Sequence, residues 1–210
     1  MSKKIWFIDE NENQSKTYAR QLRRLMPDTV QVETVYPPFV NMNDYASILS
    51  DPETVCVIID QKLKDSGIAT YDGIELAQFL RGIDSKIPIY ILTNFADLKD
   101  EYASGELNVE EVLSKDIFND DVEKQILQAR LLRRIDVHED ILLSRAERFR
   151  SLLKKQFENT LTEEEQAELK NLQFERVAPV EAASVIESQN LQNIIDSNNE
   201  LLEALRKLPK

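Results

Sequence analysis

The stretch TVCVIIDQKLKD, Thr54 to Asp65, decides the fold. Val55, Cys56, Val57, Ile58 and Ile59 form an unbroken apolar run, mostly β-branched, that ends on a carboxylate, Asp60. A short apolar run without alternation predicts a strand buried on both faces, as in parallel sheets covered by helices. The acid at its tip has to be explained by what surrounds it.

Working outward, KKIWFIDE predicts a first strand ending on Asp9 and Glu10. NQSKTYARQLRRLMP then places Tyr18, Leu22 and Leu25 on one helical face, with Lys16, Arg20, Arg23 and Arg24 largely off it and Pro27 ending the element. TVQVETV alternates from Thr29 to Val35 as a weaker strand, and Pro37 and Pro38 lead to a short helix near Tyr45 to Leu49. Beyond Asp65, YDGIELAQFLRGI carries Ile74, Leu76, Ala77 and Leu80 at helical spacing. IPIYILTN is another buried strand, ending on Thr93 and Asn94. A helix is expected around Leu98 to Ala103, VEEVLSKD supplies a short fifth strand ending on Ser114 and Lys115, and DDVEKQILQARLLRRI is helical.

Strands alternating with helices predict an α/β protein with a doubly wound five-stranded parallel sheet and helices on both faces. The crevice of such a sheet lies outside the carboxyl ends of its strands. Asp9, Glu10, Asp60, Thr93 and Lys115 all fall there. Three carboxylates in one crevice repel one another and raise their own pKa values unless a cation sits among them. Hard oxygen ligands favour Mg2+, which keeps several waters and binds through one or two carboxylates plus a phosphate oxygen. Lys115 adds a positive charge and Thr93 a hydroxyl donor, a set suited to holding a phosphoryl group.

Composition limits the alternatives. Lys and Arg number 26 against 38 Asp and Glu, a formal charge of −12, and this field repels a phosphate backbone, so nucleic acid is not the expected partner. No apolar run approaches the ~20 residues of a membrane span, and the start MSKKIWFIDEN lacks a secretory signal. The single cysteine, Cys56, reads as a small buried hydrophobe and excludes an intrachain disulfide. A cytoplasmic location is expected.

The chain divides into an α/β region, residues 1–130, and a helical region, residues 131–210. In the second region Ile141, Leu142, Ala146, Phe149, Leu152, Leu153 and Phe157 recur at helical spacing, and Thr162 with Glu165 forms a capping box. After Pro179 the pattern resumes with Val185, Leu191, Ile194, Ile195, Leu201, Leu202 and Leu205. A hairpin, a small bundle or a coiled coil completed by a partner all fit. No compact domain with a basic recognition helix is present, which disfavours a DNA-binding output.

The order Asp9-Glu10, Asp60, Thr93, Lys115, each at a strand end, with YDGIELAQFLR opening the helix after the central strand, resembles the receiver domain of two-component response regulators. The resemblance covers about residues 3–130. It implies a flavodoxin-like sheet and a phosphorelay in which Asp60 accepts a phosphoryl group from a histidine kinase or phosphotransfer protein. Asp9, Glu10, Asp60 and the backbone carbonyl of Lys62 would hold Mg2+, and Thr93 and Lys115 would contact the phosphoryl oxygens. The basic first helix, Lys16 to Arg24, lies where family members dock their kinase. No separate enzymatic output is expected, so the signal would leave through the helical tail, by a protein partner or self-association.

The sequence departs from the family pattern at several positions. Glu10 stands where Asp is commoner, Asp72 follows Asp60 by twelve positions in a longer loop, and Lys64 and Asp116 stand where proline is frequent. Val112 replaces an aromatic that rotates on activation, and Asn94 replaces a small residue. Phe95 and Lys62 flank the path of water to an acyl phosphate, so slow hydrolysis is expected. A pseudo-receiver serving only as scaffold or adaptor is the alternative. His138-Glu139 is similar to the dipeptide at kinase phosphoacceptor histidines, but no ATP-binding signature accompanies it and a solvent-exposed side chain is expected.

Overall fold

The computed structural model describes residues 3–94, 108–175 and 177. Strands β1 (Lys3–Ile8), β2 (Val30–Val35), β3 (Thr54–Asp60), β4 (Ile89–Thr93) and β5 (Glu111–Ser114) form one sheet in the order β2-β1-β3-β4-β5. Every neighbouring pair is parallel. The strand order reverses between β1 and β3, which makes their carboxyl ends the crevice of the sheet.

The absence of alternation in β3 follows from its central place. All seven of its residues are buried. Cys56 and Ile58 join a cluster with Ile5, Phe7, Ala19 and Leu22 on one face, while Val57 and Ile59 join Ile8, Ile74, Ala77 and Leu80 on the other. Burial pushes the Cys56 thiol pKa up, so it behaves as the expected hydrophobe.

Helix α1 (Glu12–Leu25) starts where the Asn11 side chain accepts from the amides of Asn13 and Gln14. Leu22 lies in the core with Tyr18 and Leu25 packed against it, as the helical spacing predicts. Among the basic residues of this helix, Arg23 is not a free surface charge: its Nε and Nη2 donate to the Val32 carbonyl at 2.9 and 2.7 Å. A turn of 3₁₀ helix (Met42–Tyr45) leads into α2 (Ala46–Ser50), and α3 (Gly73–Ile83) opens with a capping box between Asp72 and Glu75.

Helix α4 runs unbroken over 37 residues, Asp121–Phe157, roughly 55 Å at 1.5 Å per residue. Its first half covers the sheet through Leu127, Leu131 and Ile135. Arg130 to Glu111 at 2.6 Å and Lys3 to Glu139 at 2.7 Å fasten it to strands β5 and β1. The helix continues through residue 130, and a short turn at 158–162 leads into α5, residues 163–175.

The Thr162–Glu165 capping box forms as the sequence predicts. Arg148 to Glu168 (2.6 Å), Lys155 to Glu165 (2.5 Å) and Arg145 to Glu175 (3.2 Å) pair α4 with α5 antiparallel. Of the arrangements open to the tail, its described part is thus a helical hairpin, with Leu152 and Leu169 buried in it. The expected helix near Leu98 and the pattern from Val185 to Leu205 lie outside the described residues, as does Phe95.

His138 does not face solvent as expected for a lone histidine on a helix. His138 is buried, at 3% exposure, with no hydrogen-bond partner on either ring nitrogen. It sits where α4 leaves the sheet and joins α5, beside a cavity of about 600 Å³ lined by Pro52, Ile83, Leu142, Leu172 and Phe174. Helical periodicity cannot register burial contributed by a second helix and by the turns beneath the sheet.

Candidate functional site

Asp9 leaves the end of β1 and Asp60 closes β3; both are buried. Their positions follow from adjacent strands of matched length, with Ile8 in register with Ile59. The Asp9 Oδ1 accepts from the Asn11 amide at 2.8 Å, so the turn that starts α1 also orients this carboxylate. The Asp60 Oδ2 accepts from the Lys62 amide at 2.5 Å. Behind Asp60, the Gly73 amide donates to the Gln61 carbonyl at 3.0 Å and the Ile74 amide to the Gln61 side chain at 3.1 Å. These bonds fix the strand-to-helix connection.

The long β3–α3 connection absorbs its extra residues in a 3₁₀ turn, Leu63–Ser66, closed by Gly67 at φ 70°. A positive φ of this kind is cheap only for glycine. Lys64 reaches Asp72 at 3.2 Å and Glu75 at 2.8 Å, tying this turn to the start of α3. Tyr71, buried at the end of the connection, donates its hydroxyl to the Phe39 carbonyl.

Lys115 follows β5 in a 3₁₀ turn capped by Ser114, whose side chain accepts from the Asp116 amide at 3.2 Å. That cap lets the lysine reach the crevice with Asp116 beside it. Its ammonium lies 2.6 Å from Asp60 Oδ1, 3.3 Å from Asp9 Oδ2 and 2.6 Å from Gln14 Oε1. The Tyr18 ring centroid is 5.0 Å away. Burial alone would lower the lysine pKa, but the charges of Asp60 and Asp9 outweigh it and the net shift is upward.

Carboxylate oxygens of Asp9, Glu10 and Asp60 all lie within 4.8 Å of one another. Glu10 belongs to this cluster, and its Oε2 is buried with no hydrogen-bond partner. Burial, and then the charge of Asp60, push its pKa up to about 7. Burial also raises Asp9, against the opposing pull of Lys115. An orphaned oxygen among crowded acids is what a divalent cation would satisfy, so the donor set fits a hard metal such as Mg2+. The Lys62 carbonyl accepts from the Asp65 amide at 2.9 Å.

Thr93 is buried at the end of β4, where Asp60 is in register with its neighbour Leu92. The structure therefore brings Asp9, Asp60 and Lys115 into contact, places a Glu10 carboxylate oxygen within 4.8 Å of both acids and sets Thr93 on the adjoining strand end. Sequence reading missed Gln14 and Tyr18. They lie one turn apart on α1, a spacing that shares a face, but nothing in the sequence shows that this face meets Lys115.

No protein-family model matches the sequence, and no curated protein is significantly similar to it. Solved structures do match. NtrX from Brucella abortus, in complex with ADP, is 14% identical with a TM-score of 0.50, covering 70% of this chain and 30% of that one. A response regulator receiver domain protein from Clostridium thermocellum is 18% identical at TM-score 0.49, covering 66% and 98%. The response regulator TrrA from Thermotoga maritima, in complex with Mg2+-BeF, is 18% identical at TM-score 0.45, covering 61% and 98%. The chain has the flavodoxin-like receiver fold followed by a helical region, as the sequence resemblance implies. No helix among the described residues is long and apolar enough to cross a membrane.

Proposed function

We propose that this chain is a phosphoacceptor of a two-component phosphorelay, with a receiver over residues 1–130 and a helical extension over 131–210. The observation that carries this reading is the contact of Lys115 with Asp60 Oδ1 at 2.6 Å, inside a crevice where three carboxylates converge. A structural ion pair would not need Glu10 beside it with an unpartnered oxygen.

Asp60 is the nucleophile. One of its oxygens attacks the phosphorus of a phosphohistidine on a histidine kinase or phosphotransfer protein. The P–N bond breaks with its electron pair going to the imidazole, leaving an acyl phosphate on Asp60. Asp9, Glu10, Asp60 and the Lys62 carbonyl would hold Mg2+, which when bound neutralises charge on the phosphoryl oxygens. Lys115 supplies the second positive charge, and the Thr93 hydroxyl donates to a phosphoryl oxygen. The helical extension passes the state of the site to a protein partner or to a second copy of the chain, in the cytoplasm. The receiver catalyses only its own phosphorylation and dephosphorylation.

Incubation with acetyl phosphate and magnesium chloride, followed by intact-mass measurement, tests the reading. One phosphoryl group is expected on the wild type and none on Asp60→Asn. A wild type that gains nothing would leave a scaffold or adaptor on a receiver fold.

A further inference from the structure

Lys115 is held by three oxygens, two from carboxylates and one from an amide. The carboxylates, Asp9 and Asp60, belong to the cluster that fits a divalent cation. A dication seated there cancels the attraction that draws the ammonium in and repels it at short range. Gln14 differs in kind: its Oε1, 2.6 Å from the ammonium, carries no net charge and lies outside the acid cluster.

We propose that Gln14 is a positioning residue that keeps Lys115 in the crevice when a metal takes up the charge of the carboxylates. The ammonium then stays within reach of a phosphoryl group on Asp60. Tyr18 completes the cradle, with its ring 5.0 Å from the ammonium and a centroid distance of 5.5 Å to Phe118 in the turn that carries Lys115. The cradle is built into the start of α1. Asn11 accepts from the Gln14 amide at 3.1 Å, and Tyr18 sits one turn further on the same face. Helix α1 and the Lys115 turn therefore grip one another independently of the acids.

This inference rests on the phosphoacceptor reading for its consequence but not for its geometry, and two measurements separate them. The first is the nitrogen-15 NMR signal of the Lys115 ammonium, assigned by its loss in Lys115→Arg, in magnesium chloride. It should persist in wild type and Gln14→Glu, which keeps an acceptor, and broaden away through solvent exchange in Gln14→Leu. The second is the rate of phosphorylation by acetyl phosphate. It should fall roughly tenfold in Gln14→Leu, the loss expected for one hydrogen bond to a charged group, and stay within about twofold in Gln14→Glu, by the same reasoning.

Gln14→Ala replaces Gln14→Leu if the latter misfolds, since alanine suits a half-exposed helical site. A persistent signal and an unchanged rate in Gln14→Leu or Gln14→Ala would overturn the proposal. A wild type that takes no phosphoryl group sinks the phosphoacceptor reading alone, and the NMR signal then decides the role of Gln14.

Discussion

At the scale of single residues, the crevice stores its tension in Glu10. Burial, and then the charge of Asp60, push its carboxyl pKa up to about 7. An acid whose folded pKa lies above its unfolded value destabilises the fold when ionised. The penalty is absent below pH ~4.5, grows as pH rises, and is complete above about 7. Glu10→Gln removes the charge and keeps the shape, so it should raise Tm little at pH 5 and most at pH 8. Magnesium chloride should raise the wild-type Tm at pH 8 and close the gap to the variant; an equal effect of the substitution at both pH values would refute this. Lys115 is the counterpart. Lys115→Met leaves Asp9 and Asp60 buried without their cation, a change of about 3–5 kcal/mol for a broken buried pair. Thermal unfolding should show it, and magnesium should recover part of the loss.

At the scale of elements, Asp60, the proposed phosphoacceptor, is aimed by the junction of β3 with α3. Gly73 makes that junction possible: a Cβ there would clash with the Asp60 carbonyl oxygen and lie 3.0 Å from the Gln61 Cα. Both neighbours are backbone and cannot swing aside. Gly73→Ala should therefore cost about 1–3 kcal/mol, the range for overpacking a tight site, measured by urea unfolding. It should also slow phosphorylation of Asp60 by acetyl phosphate, because the carbonyl cannot move without the side chain. This junction was legible in the sequence, since an unbroken apolar run, a terminal acid and an Asp-Gly helix start each have a local cause. The contacts that lock it were not. Gln61 reads as any polar loop residue, and its role appears only when α3 folds back onto it. Likewise, the five strand-end residues could be assembled from periodicity and topology, whereas Gln14 required the packing of α1 against a turn about a hundred residues away.

At the scale of the whole molecule, α4 joins the sheet to the hairpin in one continuous helix. Among the described residues, this helix offers a change at the crevice one continuous route to the tail. His138 marks the transition, between Ile135 in the sheet core and Leu142 at the cavity under α5. Burial lowers its pKa, with Asp84 and Glu139 favouring the charged form and Arg145 and Arg81 opposing it. A base whose folded pKa is depressed costs nothing while both states are neutral. As pH falls below the unfolded value of ~6.5, the unfolded chain takes a proton that the native chain refuses, so stability is lost. Local opening of α4 around His138 gives the imidazole the same access to water as full unfolding, and it should be the cheaper route. Backbone amides of residues 136–142 should thus show less hydrogen-exchange protection at pH 5.5 than at pH 7.5, after correction for intrinsic rates. In His138→Leu, which fills the site without unpaired nitrogens, protection should be the same at both pH values. Loss of protection in both proteins would assign the effect to the surrounding ion pairs, and loss in neither would show that the imidazole stays neutral and the helix closed.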